Sequence, residues 1–321
     1  MVNPFDKLKS NRLGFIGFKH RAIQMDKEMI QSILKARDDN TYKGDYGQAF
    51  IIAGSMGFSG AAYLTTQSAV RSGAGLVTLC VPKEIQEIMS IKLNEAMTIN
   101  FEQSEKIGNI MVKSNCIAIG PGMGNTKLTF NIVKSMIENA ECPIVIDADG
   151  LNVLQGKLEL LHSKNNSIIL TPHYGEMARL TGLSVDEIKE NRVEVARNFA
   201  YEYDVIVLLK DHRTVITDGT QVFENTTGNS AMASGGMGDT LTGIITSFIA
   251  QGYDALEATC IATFIHGYCG DRLAENMFCV NATHIIEELP FGIKEILDSN
   301  WYIEITVDYN KINMVIESRK L

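Results

Sequence analysis

Short β-rich apolar runs alternate with longer stretches of helical periodicity along most of the chain, and this alternation constrains the fold more than any other feature. AFIIAGS at 49–55 is followed by AAYLTTQSAVRSGAG at 61–75 and LVTLCVP at 76–82, a β-α-β order. The pattern continues through CIAIG at 116–120, KLTFNIVKSMIENA at 127–140, PIVIDADG at 143–150, SIILTP at 167–172 and DVIVLLK at 204–210. These strands are apolar throughout rather than alternating, so helices must cover both faces of a mostly parallel sheet. An α/β fold with right-handed crossovers follows, and its sites are expected at the carboxyl ends of the strands.

The alternation occupies about residues 40–293, which we read as one domain of the 321-residue chain. Residues 1–40 are polar and mixed, with a helical pattern in IQMDKEMIQSILKARDD, and form an N-terminal helical extension in this reading. Residues 294–321 form a C-terminal extension. From Trp301, WYIEITVDYNKINMVIES alternates apolar and polar around Tyr309, Asn310 and Lys311, which predicts a β-hairpin. A lone hairpin is marginal in water, so it is expected to pack on the main sheet or against another subunit.

The net charge of −9 opposes a grip on phosphate backbones, so nucleic acid is not an expected partner. No apolar run approaches the roughly 20 residues of a spanning helix. MVNPFDKLKSNR lacks the apolar core of a signal peptide, so a cytoplasmic protein is expected. The six cysteines, Cys80, Cys116, Cys142, Cys260, Cys269 and Cys279, stand singly without zinc spacing and read as reduced core residues.

Chemistry is most legible in NTTGNSAMASGGMGDTLTGIITSFIAQG, where a glycine-studded loop runs into an apolar helix. Gly235, Gly236 and Gly238 free the backbone for positive φ and for inward-facing N–H groups, at a helix expected to begin near Thr240. Such a loop, with Met237 within it, is an anion hole for phosphate. Asp239 stands at its mouth, where helix-terminal N–H groups are expected to keep its carboxylate ionised as a base for a substrate hydroxyl. A base beside a phosphate site implies phosphoryl transfer. The plainer reading makes Asp239 a helix cap.

His173 and Glu176 in PHYGEMARL follow a strand end. His173 can bond a ligand, whereas Glu176 either orders water around a metal or sits in a helix's first turn. Lys210, Asp211, His212, Arg213 and Thr214 read as a polar turn between two strands, able to line a nucleotide or simply face solvent. Three further glycine loops, AGSMGFSGAA, GPGMG and DADGLNVL, end strands and open helices, and none fits the dinucleotide or P-loop fingerprint. Asp147 and Asp149 suit a magnesium shell, although Asp149 reads more simply as a helix cap. His266, in the apolar FIHGYCGD, reads as a packed core residue.

In order and spacing, KGDYG, AGS…SGAA, RSGAGLV, GPGMG, DADGLN, TPHYGEMARL, LLKDHRTVI, NTTGN and GGMGDTLTG resemble the ADP/ATP-dependent NAD(P)H-hydrate dehydratase family over about residues 40–293. The resemblance implies a ribokinase-like fold and a repair reaction in which ADP or ATP drives loss of water from the S epimer of hydrated NADH or NADPH. It further implies that Asp239 activates the ring hydroxyl and that the amides of Gly235–Gly238 hold the transferring phosphoryl group. Mg²⁺ would offset charge on the nucleotide. Position by position, it implies that Gly60, Gly122, His173 and Asp239 contact the hydrated dinucleotide. Lys210, Asp211, His212, Arg213, Thr214 and Gly238 would contact the adenine nucleotide. A homo-oligomer, a tetramer by resemblance, is expected, and no fused epimerase domain is expected within the 321 residues.

Three positions depart from the family pattern: Asp211 where glycine is usual, Tyr174 in place of the proline of PHPGE, and Met237 within GGxGD. Of these, Asp211 matters most, since an inward carboxylate repels phosphate. The rival readings are a ribokinase-like kinase of a small alcohol, which would accumulate a phosphorylated product, and a nucleotide-binding protein without turnover.

Overall fold

A computed structural model of the chain describes residues 22–298 and the backbone of two further strands, Trp301–Asp308 and Asn313–Lys320. The strands in chain order are β1 (Ile23–Gln24), β2 (Gln48–Ile52), β3 (Leu76–Val81), β4 (Met97–Asn100), β5 (Cys116–Ile119) and β6 (Ile144–Ile146). They continue as β7 (Ile168–Leu170), β8 (Ile206–Leu209), β9 (Val215–Thr217), β10 (Val222–Glu224), β11 (Trp301–Asp308) and β12 (Asn313–Lys320). The first ten make one sheet in the order β1-β10-β9-β8-β7-β6-β5-β2-β3-β4. From β4 across to β8 all neighbours are parallel, and β9 runs antiparallel to both β8 and β10. The chain thus bears out the ribokinase-like α/β expectation of a mostly parallel sheet with helices on both faces.

The uninterrupted apolar text from Ala49 in β2 to Ala53 just after it shows why both faces are covered. Ala49, Ile51 and Ala53 enter one buried cluster, which includes Ile244, Ile245, Phe248 and Ile261. Phe50 and Ile52 enter the other, with Val133, Leu151, Met177 and Phe199. Successive strand side chains point to opposite faces, so a strand buried on both must be apolar at every position. Strand order reverses between β2 and β5, and the loops after β2, β5, β6, β7 and β8 all leave from the carboxyl edge at this switch.

On the first face, the Met237–Ala250 helix lies against the Ser59–Arg71 helix. Gly243 permits the contact: a Cβ there would sit 2.0 Å from the Thr65 carbonyl oxygen and 2.1 Å from Ser68 Oγ. Gly243→Ala is therefore expected to force the two backbones apart and cost about 2 kcal/mol or more, read as a lower Tm in thermal unfolding.

Before residue 40, the described residues 22–40 lie against the domain. Ile23–Gln24 pairs parallel to β10 at the sheet edge, and Met25 and Ile30 are fully buried. The helical pattern yields only Lys27–Ile33, because the Asp26 carboxylate accepts the Met29 N–H and opens the helix there. At the other end, the Ala282–Asp298 helix runs past residue 293. Beyond it, β11 and β12 pair antiparallel from Trp301↔Lys320 to Asp308↔Asn313, as the alternation predicts, and form a sheet of their own. The turn expected at Tyr309, Asn310 and Lys311 lies outside the described residues.

All six cysteines are free thiols, but only five are buried; Cys279 is exposed and is not the core residue that the sequence predicts. Among the described residues, no helix is long and apolar enough to cross a membrane.

Candidate active site

The helix beneath the glycine loop starts at Met237, three residues earlier than the sequence predicts. Gly236, at φ +88°, sits in the left-handed region and acts as the N-cap; it alone of Gly235, Gly236 and Gly238 takes positive φ. Gly238 can join the first turn because a Cβ there would meet Lys210 Nζ at 3.3 Å, so glycine leaves room for that ammonium. The N–H groups of Met237, Gly238 and Asp239 have no intrahelical acceptor, and no side chain caps them. This positive end of the helix abuts the charge cluster described next, since a Cβ at Gly238 would lie 3.3 Å from Lys210 Nζ and 3.8 Å from Asp147 Oδ2.

Asp147, after β6, is buried, at 1% exposure, and accepts Lys210 Nζ at 2.7 Å and Thr242 Oγ1 at 2.7 Å. Burial pushes its carboxyl up, but the Lys210 ammonium and the hydrogen bonds from Lys210, Thr242 and Thr171 outweigh that and hold it below the ordinary value. Lys210 is drained by burial, yet Asp147 and Glu176 hold its pKa above the ordinary lysine value. Its ammonium lies 3.9 Å from Glu176 Oε2. Lys210 is therefore a fixed cation at the start of the glycine-capped helix.

Asp239 is the third residue of that helix, not its cap, and its side chain accepts no hydrogen bond among the described residues. Burial comes first in pushing its pKa up to about 6, followed by the charge of Asp147; Lys210 opposes the shift. With a pKa of about 6 the carboxylate is still mostly ionised at neutral pH, though it is a weaker acid than a free aspartate. Desolvation dominates, which makes Asp239 a stronger base than a free aspartate.

Other predicted residues fall into two groups. Lys210, Asp211, His212, Thr214, Met237 and Gly238 line a cavity of about 790 Å³. Arg213 is exposed and does not line it; its carbonyl accepts the Arg192 guanidinium. His173, Gly60 and Gly122 also lie outside this cavity. His173 caps the Tyr174–Thr181 helix, its Nδ1 accepting the N–H groups of Gly175 at 2.9 Å and Glu176 at 3.3 Å, which leaves Nε2 as the proton-bearing nitrogen. Gly122, at φ +65°, abuts the 53–62 loop: its carbonyl accepts Ser55 Oγ at 2.7 Å, and a Cβ would meet that of Ala61 at 2.9 Å. Gly60 is exposed in the first turn of the Ser59–Arg71 helix.

The metal expectations fare differently. Glu176 is buried and accepts the His173 N–H at 2.9 Å, completing a capping box. Asp149 accepts the Gly124 N–H at 2.8 Å and Asn152 Nδ2 at 3.3 Å, so it ties the GPGMG loop to the turn after β6. With Asp147 also engaged, no group of three metal-binding side chains exists among the described residues. The donors of the described residues, each already engaged, do not fit a resident divalent ion.

Sequence reasoning missed Thr242 and Thr171. Thr242 lies one turn beyond Asp239, a spacing that puts both on one helix face. Asn225, Thr227, Ser230 and Met232 of the loop also line the cavity, and so does His266. His266 is indeed buried; burial pushes its pKa down to about 4, so it is neutral, with Nε2 lacking a partner among the described residues.

A mostly parallel sheet with a glycine-capped helix at its switch, set beside a half-buried lysine and a basic aspartate, is a ribokinase-like arrangement. Accordingly, a ribokinase-like protein of Enterococcus faecalis superposes with a TM-score of 0.78 at 28% identity, covering 88% of this chain and 98% of that one. A family model described as NAD(P)H-hydrate dehydratase matches residues 49–291, and the chain belongs to that family. The ADP-dependent (S)-NAD(P)H-hydrate dehydratase of Listeria monocytogenes is 35% identical over 260 residues, 80% of this chain and 91% of that protein. A bifunctional NAD(P)H-hydrate repair enzyme of Moorella thermoacetica is 35% identical over 280 residues, 83% of this chain but 53% of that protein. The chain thus spans about half the length of such bifunctional relatives. A Bacillus subtilis ADP/ATP-dependent NAD(P)H-hydrate dehydratase, co-crystallised with ATP and Mg²⁺, superposes with a TM-score of 0.78 at 30% identity, covering 86% and 99% of the two chains.

Proposed function

We propose that this chain uses ADP or ATP to dehydrate the S epimer of hydrated NADH and NADPH, releasing the intact reduced cofactor, phosphate and AMP or ADP. The observation that carries the reading is Asp239, an unbonded carboxylate with its pKa at about 6, set in the first turn of a glycine-capped helix. Asp239 takes the proton from the ring hydroxyl as its oxygen attacks the terminal phosphorus of the nucleotide. A new O–P bond forms, and the bond to the departing AMP or ADP breaks. The N–H groups of Met237–Asp239 and the Lys210 ammonium hold the charge on the phosphoryl oxygens. Phosphate then leaves with its C–O electron pair, and loss of a ring proton to solvent restores the double bond. Phosphate is a better leaving group than hydroxide, which is why the nucleotide is needed.

In this reading the adenine nucleotide occupies the 790 Å³ cavity against Lys210, Asp211, His212, Thr214 and Gly238, and Arg213, exposed in the same turn, reaches it from outside the lining. The hydrated dinucleotide lies across the switch, towards Gly60, Gly122 and His173. Magnesium enters with the nucleotide's phosphates rather than on a site of the chain, in keeping with its habit of retaining water and few protein ligands. A cytoplasmic homo-oligomer, with no nucleic-acid partner, completes the proposal.

The test mixes purified protein with hydrated NADH, Mg²⁺ and ADP or ATP, beside a control without nucleotide. Nucleotide-dependent growth of the reduced-nicotinamide absorbance is the expected result. No growth with either nucleotide, from folded protein and verified substrate, would remove the assignment.

A further inference from the structure

Two of the three departures from the family pattern meet in space. Tyr174, the first residue of the helix after β7, donates its hydroxyl to Asp211 Oδ2 at 2.6 Å, and Asp211 opens the turn after β8. Glycine and proline, which the resembled family carries at these positions, can make no such bond.

The two loops are joined along their length. The Lys210 N–H donates to the Pro172 carbonyl at 2.8 Å, and His173 and Lys210 form an isolated parallel bridge. The Tyr174–Asp211 bond extends this join to the side chains beside the cavity. Asp211 is also shaped from within its own turn: its carbonyl accepts Thr214 Oγ1 at 2.9 Å. The carboxylate itself is exposed and borders the cavity, where Lys210 already faces Asp147 and Glu176. A further loose negative charge at this point would act against an anionic ligand. Burial first, then the hydrogen bond to Asp211 and its charge, push the Tyr174 pKa up to about 12, so the phenol remains a donor at every working pH.

We propose that Tyr174 is a positioning residue for the nucleotide: its hydroxyl clasps the Asp211 carboxylate against the His173-capped helix and keeps that charge out of the space of the nucleotide phosphates. The clasp is thus a determinant of nucleotide affinity particular to the Tyr174 and Asp211 pair. It rests on the reading that the cavity takes an adenine nucleotide.

The experiment titrates ADP by calorimetry into the wild type, Tyr174→Phe and the Tyr174→Phe/Asp211→Asn double variant, and measures NADH recovery for each. Tyr174→Phe should weaken ADP binding roughly fivefold to tenfold. The same loss should show in the KM for ADP rather than in kcat, and the double variant should regain most of it, because the freed charge is gone. A merely structural tyrosine would lower Tm in both variants and leave ADP affinity alone. Unchanged affinity in Tyr174→Phe, or a double variant as weak as the single, would overturn the clasp. Wild type that binds ADP but recovers no NADH would overturn the proposed reaction and leave the clasp standing; wild type that binds no ADP would overturn both.

Discussion

Asp239→Asn is expected to slow NADH recovery by about 10³-fold while ADP still binds, because the amide keeps the shape of the side chain but cannot take a proton. The base must be unprotonated, so wild-type activity should rise with pH through about 6, the pKa of Asp239. Stability moves the other way. A carboxyl whose folded pKa is raised contributes its stability fully below the ordinary carboxylate range and loses it as pH rises through about 6. At neutral pH the burial of this charge opposes folding, so the asparagine variant should melt higher than the wild type, the two curves converging in acid. A variant that is both inactive and more stable is the signature of a group kept for chemistry. An Asp239→Asn protein of near wild-type rate would show that the base lies elsewhere.

Lys210→Met is the second large effect, and it acts on stability as well as activity. Asp147 is buried, and its strongest partner is the Lys210 ammonium at 2.7 Å. Removing the cation leaves a buried charge held by threonine hydroxyls alone, at a cost of about 3 kcal/mol. Turnover should fall as well, since the same ammonium sits 3.3 Å from where a Gly238 Cβ would be, at the start of the phosphate-binding helix. Pairing it with Asp147→Asn should return most of the stability and none of the activity, a separation readable from denaturant unfolding and NADH recovery on the same proteins. The pH dependence has a clear sign. Asp147 has its folded pKa depressed, so its contribution is complete above the ordinary carboxylate value and is lost as pH falls through the folded one. Wild type should therefore lose this increment in acid, and the double variant should not.

Much of this site was legible because local sequence carries it. The GGMGD text places a phosphate-binding helix start and its aspartate within a few residues, and the apolar runs of β2, β3, β5, β6, β7 and β8 announce a doubly covered sheet. Sequence alone places the helix start too late because glycines disfavour a helix interior; here Gly238 leaves room for Lys210. The narrow strands escaped for a different reason. Met97–Asn100 and Ile23–Gln24 are short edge strands with exposed residues, and neither forms an apolar run. Long-range pairings were also out of reach. Lys210 meets Asp147 across 63 positions and Tyr174 meets Asp211 across 37, and one sequence holds no signal for such contacts. The raised pKa of Asp239 is out of reach on the same ground, since the burial and the Asp147 charge behind it come from the assembled fold rather than from its own helix.

The most direct test of the central claim is the ratio of phosphate released to NADH regained when limiting ADP is mixed with excess protein and hydrated NADH. One phosphate per NADH is predicted, with both products absent in Asp239→Asn. ADP consumed into a stable phosphorylated compound, without regain of the reduced-nicotinamide absorbance, would contradict it and mark the site as that of a kinase.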